Sequence, residues 1–197
     1  MQLVFDLKTI VIGTVVAVVG YHGYQYMFGE LEGKSVSKLI QLYGSSQPTR
    51  RMVIKRRAVS IYTAGRDFEV VDRALDSISP AEQALAVTIF RERQDRRVTE
   101  KLIGMLRDDE RGAMVKEELA ATMAEFKVTE AIPRLIELTD VREQQGVRAA
   151  AHSALKVLTG AGGQVKLGEA TRQSWANLWE DKLKKKLLRE ARDRKRK

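Results

Sequence analysis

The sequence predicts an all-α protein made of repeated helical hairpins, and three observations carry that expectation. A nine-residue pattern of apolar and charged positions recurs down the chain, prolines are confined to Pro48, Pro80 and Pro133, and the 14 glycines avoid most of the long periodic segments. Both residue types disfavour helix interiors, so their placement marks where helices begin and end. With 44% hydrophobic and 31% charged residues, the chain can bury a core rather than stay disordered. It has no cysteine, which excludes disulfides, thiolate metal sites and cysteine nucleophiles.

The first element is an uncharged run. No charged residue lies between Lys8 and Glu30, and Thr9–Gly29 is 21 residues long. As a helix it reaches roughly 30 Å, the thickness of a bilayer core. Ile10 to Val19 is strongly apolar, and Tyr21, His22, Tyr24, Tyr26 and Phe28 follow it. Aromatic rings favour the membrane–water boundary, so Tyr21, Tyr24, Tyr26 and Phe28 are the expected interfacial residues. A cleaved signal peptide fits less well, because Asp6 stands beside Lys8 and no Ala-x-Ala follows the run. A buried helix is the other alternative, since the aliphatic part is only about ten residues. Residues 1–30 are expected to form one transmembrane anchor. Lys34, Lys38, Arg50 and Arg51 follow the run and place the rest of a single-pass protein in the cytoplasm.

The body, residues 31–163, shows the repeat. Val147-Arg-Ala-Ala-Ala-His-Ser-Ala-Leu155 shares its spacing with Val115–Met123, Ile54–Tyr62 and, more loosely, Ala81–Ile89. These copies start at 54, 81, 115 and 147, hence 27, 34 and 32 residues apart, the period of a two-helix unit. A shorter apolar segment accompanies each copy: Val36–Leu42, Val71–Leu75, Val98–Leu106 and Ala131–Leu138. A Leu-Ile pair recurs in three of them, at 39–40, 102–103 and 135–136. Such stripes need neighbours to cover them, so the hairpins are expected to stack.

Local signals mark the boundaries. Ser79-Pro80-Ala81-Glu82 reads as a capped helix start. Gly160, Gly162 and Gly163 read as a helix stop, and Asp108, Asp109 and Glu110 as negative charge at a helix start. Pro133 falls early enough in its segment to be tolerated. Residues 164–181 follow as a capping helix, where Trp175 and Trp179 stand four apart on one face.

The Val-Arg opening, the Ala/Leu packing positions, the Leu158-Thr-Gly160 turn and the tryptophan-bearing last helix resemble the HEAT-repeat family over about residues 35–180. The resemblance implies a short α-solenoid of about four HEAT-like hairpins. It implies little about function, because such repeats serve many partners.

Charge is concentrated at the end. Of the net charge of +9, the tail supplies +6 from Lys182, Lys184, Lys185, Lys186, Arg189, Arg192, Arg194, Lys195, Arg196 and Lys197 against Glu180, Asp181, Glu190 and Asp193. Residues 182–197 are therefore the candidate contact to anionic lipid or nucleic acid, with a solvated tail as the plain alternative. A second basic cluster, Arg50, Arg51, Lys55, Arg56 and Arg57, reads either as ordinary surface charge or as a lipid-attracting patch beside the membrane. His22 and His152 stand far apart and read as an interfacial and a packed histidine. The chain carries no Gly-x-Ser-x-Gly, phosphate-binding glycine loop or His-Glu-x-x-His. The expectation is a non-enzymatic adaptor without cofactor, metal or small-molecule substrate, holding a protein partner in a membrane complex. A nucleic-acid- or ribosome-binding repeat protein acting through the tail is the alternative.

Overall fold

The computed structural model describes residues 29–161, 163–180 and 185, and every regular element among them is helical. The helices come in pairs. α1 (Val36–Ser45) precedes α2 (Pro48–Ile61), and α3 (Phe68–Ala74) precedes α4 (Pro80–Glu92). α5 (Thr99–Arg107) precedes α6 (Ala113–Phe126), and α7 (Ile132–Glu137) precedes α8 (Gln145–Thr159). α9 (Thr171–Leu178) follows the glycine-rich connection. Short 3-10 turns at Arg96–Val98 and Thr129–Ala131 lead into α5 and α7.

The recurring pattern lies in the second helix of each pair, but its register differs from the one apolar spacing suggests. α2, α4, α6 and α8 begin 32, 33 and 32 residues apart. At those intervals Ile54, Ala86, Leu119 and Ala151 are equivalent, as are Ala58, Phe90, Met123 and Leu155, and all eight are fully buried. Aligning Ile54 with Val115 is thus one helical turn out, and aligning Ala81 with it is one residue out. An apolar stripe repeats itself after every turn, so hydrophobicity alone leaves the axial register open. The first helices show their own equivalents, with Leu39, Val71, Leu102 and Leu135 fully buried.

The helix ends repeat too. Gln94, Lys127 and Gly160 follow α4, α6 and α8 at intervals of 33 and all have left-handed backbones, with φ of 54°, 57° and 68°. The amides of Asp95 and Val128 then reach back to Phe90 O and Met123 O, both at 2.9 Å. At the start of α4, the Ser79 hydroxyl accepts from the Glu82 amide at 3.4 Å. Glu82 does not close a capping box. The Ser77 hydroxyl stands between, accepting from the Ser79 amide at 3.1 Å and donating to the Glu82 carboxylate at 2.7 Å. The run Asp108-Asp109-Glu110 belongs to the α5–α6 connection rather than to a helix start: Asp108 receives Arg111 at 2.8 Å, while Asp109 pairs with Arg134. Ion pairing to a neighbouring guanidinium outweighs the weaker, solvent-screened pull of a helix dipole.

Packing follows chain order. α4 touches α1, α2, α3 and α6; α6 touches α5 and α8; α8 touches α7, and α9 rests on α7. α4 is consequently buried along nearly its whole length, from Ala81 to Phe90 with only Glu82 part-exposed. Tyr62 and Phe68 close on Phe90 with ring centroids 6.1 and 5.6 Å away.

Polar rungs tie successive pairs together. Lys101 Nζ donates to Asp72 O at 3.1 Å and pairs with Asp76 at 2.8 Å. One unit later, Arg134 Nε donates to Leu106 O at 3.0 Å and its guanidinium pairs with Asp109. Lys101 and Arg134 are 33 residues apart, and so are Asp76 and Asp109. Arg172 then pairs with Asp140 at 2.7 Å. Between the second helices, Arg91 meets Glu118 at 2.7 Å, and Lys116 of α6 meets Glu143 in the α7–α8 connection at 3.1 Å.

Candidate interaction surfaces

The basic cluster lies on α2, a helix without a single acidic residue. Its five cations divide by what they touch. Arg50 pairs with Glu30, in the Gly29–Leu31 turn through which the chain enters the body. Arg51 donates to Tyr43 O and Gly44 O at 3.1 and 3.2 Å, satisfying carbonyls at the end of α1. Lys55, Arg56 and Arg57 have no carboxylate partner among the described residues, and Arg56 and Arg57 are exposed. Met52 stands 60% exposed one turn before Arg56.

At the other end of the body, α9 is pinned by a buried polar contact. Trp175 Nε1 donates to His152 Nδ1 at 3.0 Å, with the two rings at 61° and centroids 5.7 Å apart. Nδ1 as acceptor requires the neutral imidazole with its proton on Nε2. Burial, and secondarily the charge of Lys156, push the His152 pKa below the ordinary histidine value. Thr171 anchors the start of α9, its hydroxyl receiving the Gly168 amide at 2.6 Å. Trp179 packs half-buried against the same core.

Between the last pairs lies a cleft of about 450 Å³ lined by Asp109, Arg134, Glu137, Asp140, Arg142, Glu143 and Arg172. Its charges compensate one another. Arg134 meets Asp109 and Glu137, Arg142 and Arg172 both meet Asp140, and Lys116 meets Glu143. Arg142, by its guanidinium and then its amide, together with Arg172, holds the Asp140 carboxyl well below the usual carboxylate range. The cleft is therefore a product of the inter-pair rungs. Tyr62 and Asp95 behave similarly: burial and the 2.8 Å bond to Asp95 raise the phenol, while Arg97 lowers Asp95.

The exposed side of α6 and α8 is unlike α2. On α6, Glu117, Glu118 and Ala121 are part-exposed and Glu125 exposed, with Glu118 and Glu125 turned to Arg91 of α4. On α8, Ala149 and Ala150 are part-exposed, while Ser153 and a 63%-exposed Val157 are open.

Of the residues singled out in the sequence, Tyr21, His22, Tyr24, Tyr26 and Phe28 lie outside the described residues. So do Lys182, Lys184, Lys186, Arg189, Arg192, Arg194, Lys195, Arg196 and Lys197, while Lys185 is helical and exposed. Among the described residues, no helix is long and apolar enough to cross a membrane, and no three metal-ligating side chains converge. Sequence reasoning missed the rungs, although the matched 33-residue spacings of Lys101–Arg134 and Asp76–Asp109 carry their signature. It also missed the His152–Trp175 pair, which links residues 23 positions apart across different helices. No family model, curated protein or solved structure matches the chain.

Proposed function

We propose that the chain is a HEAT-like α-solenoid tethered to a membrane by residues 1–30, acting as an adaptor that holds a protein partner as an accessory subunit of a membrane complex. The observation that carries this reading is the join between the two parts. The uncharged run ends at Gly29, and Leu31 is already buried in the helical body at 2% exposure. A body coupled so closely to a membrane-length segment is suited to presenting a surface at the bilayer. Its four helix pairs, with equivalent buried positions and equivalent inter-pair rungs, supply the rigidity that such a surface needs.

The exposed side of α8, with Ala149, Ala150, Ser153 and Val157, is the expected partner surface, since its small and apolar side chains let a partner approach closely. Sizing of the tagged full-length chain in mild detergent tests the adaptor reading. The expected species is a complex larger than the 22.2 kDa chain, lost on Ser153→Arg with Val157→Arg while the melting temperature is kept. A full-length chain that migrates alone overturns the reading. A complex dissolved by nuclease treatment favours the nucleic-acid alternative carried by the tail's ten cations.

A further inference from the structure

We propose that the outer face of α2 rests on an anionic bilayer surface, with Lys55, Arg56 and Arg57 meeting lipid phosphates and Met52 entering the headgroup layer. This deepens the tether reading and rests on it.

The geometry begins at the point where the chain enters the body. Glu30 pairs with Arg50 on the first turn of α2, and Leu31 is buried, so the connection from Gly29 to the body spans two residues. Two extended residues reach at most about 7 Å. The headgroup layer on each side of a bilayer is about 5–8 Å thick. With Phe28 the last of the rings read as interfacial, a body that begins at Leu31 stands close to the headgroups. The helix beside the entry point is α2, whose Arg50 pairs with Glu30. Arg57 lies seven residues beyond Arg50, about 10 Å along the helix axis, so the three cations are close to that point.

The chemistry of the face agrees. Met52, Arg56 and Ser60 are four apart and exposed together, with Lys55 and Arg57 flanking them. A solvated helix ordinarily mixes charge signs, as α4 and α6 do here; α1, α8 and α9 carry one or two cations each and no acid, whereas α2 carries five. Arg50 and Arg51 are engaged by Glu30 and the end of α1, so structure accounts for two of the five and leaves Arg56 and Arg57 exposed and Lys55 part-exposed, none with a carboxylate partner among the described residues. Long basic side chains around an exposed methionine suit an interface where the stems are apolar and the tips meet phosphate.

The absence of native cysteine makes a site-specific test direct. The full-length chain carries a fluorophore at Met52→Cys, at Ser60→Cys or, as control, at Ser153→Cys on α8, and is reconstituted into phosphatidylcholine vesicles with or without phosphatidylglycerol. Headgroup-spin-labelled lipid is the quencher. The expected result is strong quenching at positions 52 and 60 in the anionic vesicles, weakened by salt, with position 153 unaffected. Each cation near a charged surface contributes about five-fold, so Lys55→Gln, Arg56→Gln and Arg57→Gln together should shift the docked population on the order of 100-fold. A chain that floats with vesicles, resists alkaline extraction and shows equal quenching at 52 and 153 overturns this proposal and leaves the tether standing. A chain that does not float with vesicles overturns both. Protection of position 52 by added RNA in detergent, with none from vesicles, assigns the face to nucleic acid and overturns it as well.

Discussion

Trp175 of α9 meets His152 of α8 through one neutral hydrogen bond, and that contact is sensitive to acid. The folded His152 has a pKa below the ordinary value, so the unfolded chain takes up the proton first as pH falls. The contribution is fully present above the unfolded pKa of about 6.5 and is lost as pH drops through that value toward the depressed folded one. Melting at pH 5 should therefore fall below melting at pH 7.5, and His152→Gln should flatten the difference. An equal acid loss in both proteins would assign the effect elsewhere. Lys127 offers a test of opposite sign. A left-handed backbone costs a side-chain-bearing residue roughly 1–2 kcal/mol, and the extra freedom of an unfolded glycine costs roughly 0.4–1 kcal/mol. Lys127→Gly should then stabilise by about 0.5–1 kcal/mol in a denaturant titration. Such positions were illegible in the sequence because Gln94 and Lys127 stand where glycine is the usual signal. Only Gly160, the third member of the series, declared itself.

The elements were largely legible. Each pattern copy falls in a second helix, save Tyr62 just past the end of α2, each accompanying segment falls in or beside a first helix, and Ser79 and Pro80 start α4 as expected. What spacing left open was axial register, because Ile54 and Arg50 are separated by one turn of the same stripe. Packing resolves it by burying Ile54 at the position of Leu119. Leu119→Ala should cost about 2–5 kcal/mol, the range for a fully buried leucine between well-packed helices. Arg134→Ala removes the bond to Leu106 O and two carboxylate partners at a side chain only 15% exposed. Hydrogen bonds of charged groups are worth about 1.5–3 kcal/mol, so a loss in that range is expected from urea titration. A loss below about 0.5 kcal/mol would reduce the rungs to ordinary surface pairs. The rungs were hidden because their partners sit 25 or more residues apart, beyond any single-helix spacing.

At the scale of the whole molecule, composition separated three regions with different physical demands. The uncharged run and the basic tail are read from sequence, and the helical body between them from structure and sequence together. The candidate surfaces were only partly legible. Five cations were visible on α2, but which of them face outward depended on Glu30 and the α1 carbonyls. Everything proposed about a bilayer depends on residues 9–29. Alkaline extraction and flotation of the full-length chain, compared with a Val15→Asp, Val18→Asp double variant, tests that claim most directly. A carboxylate at mid-bilayer costs about 2.5–3.5 kcal/mol on an insertion scale. The native chain is expected in the membrane fraction and the double variant in the supernatant, with unchanged helical content in both. A native chain released by alkaline extraction as completely as the variant would contradict the account.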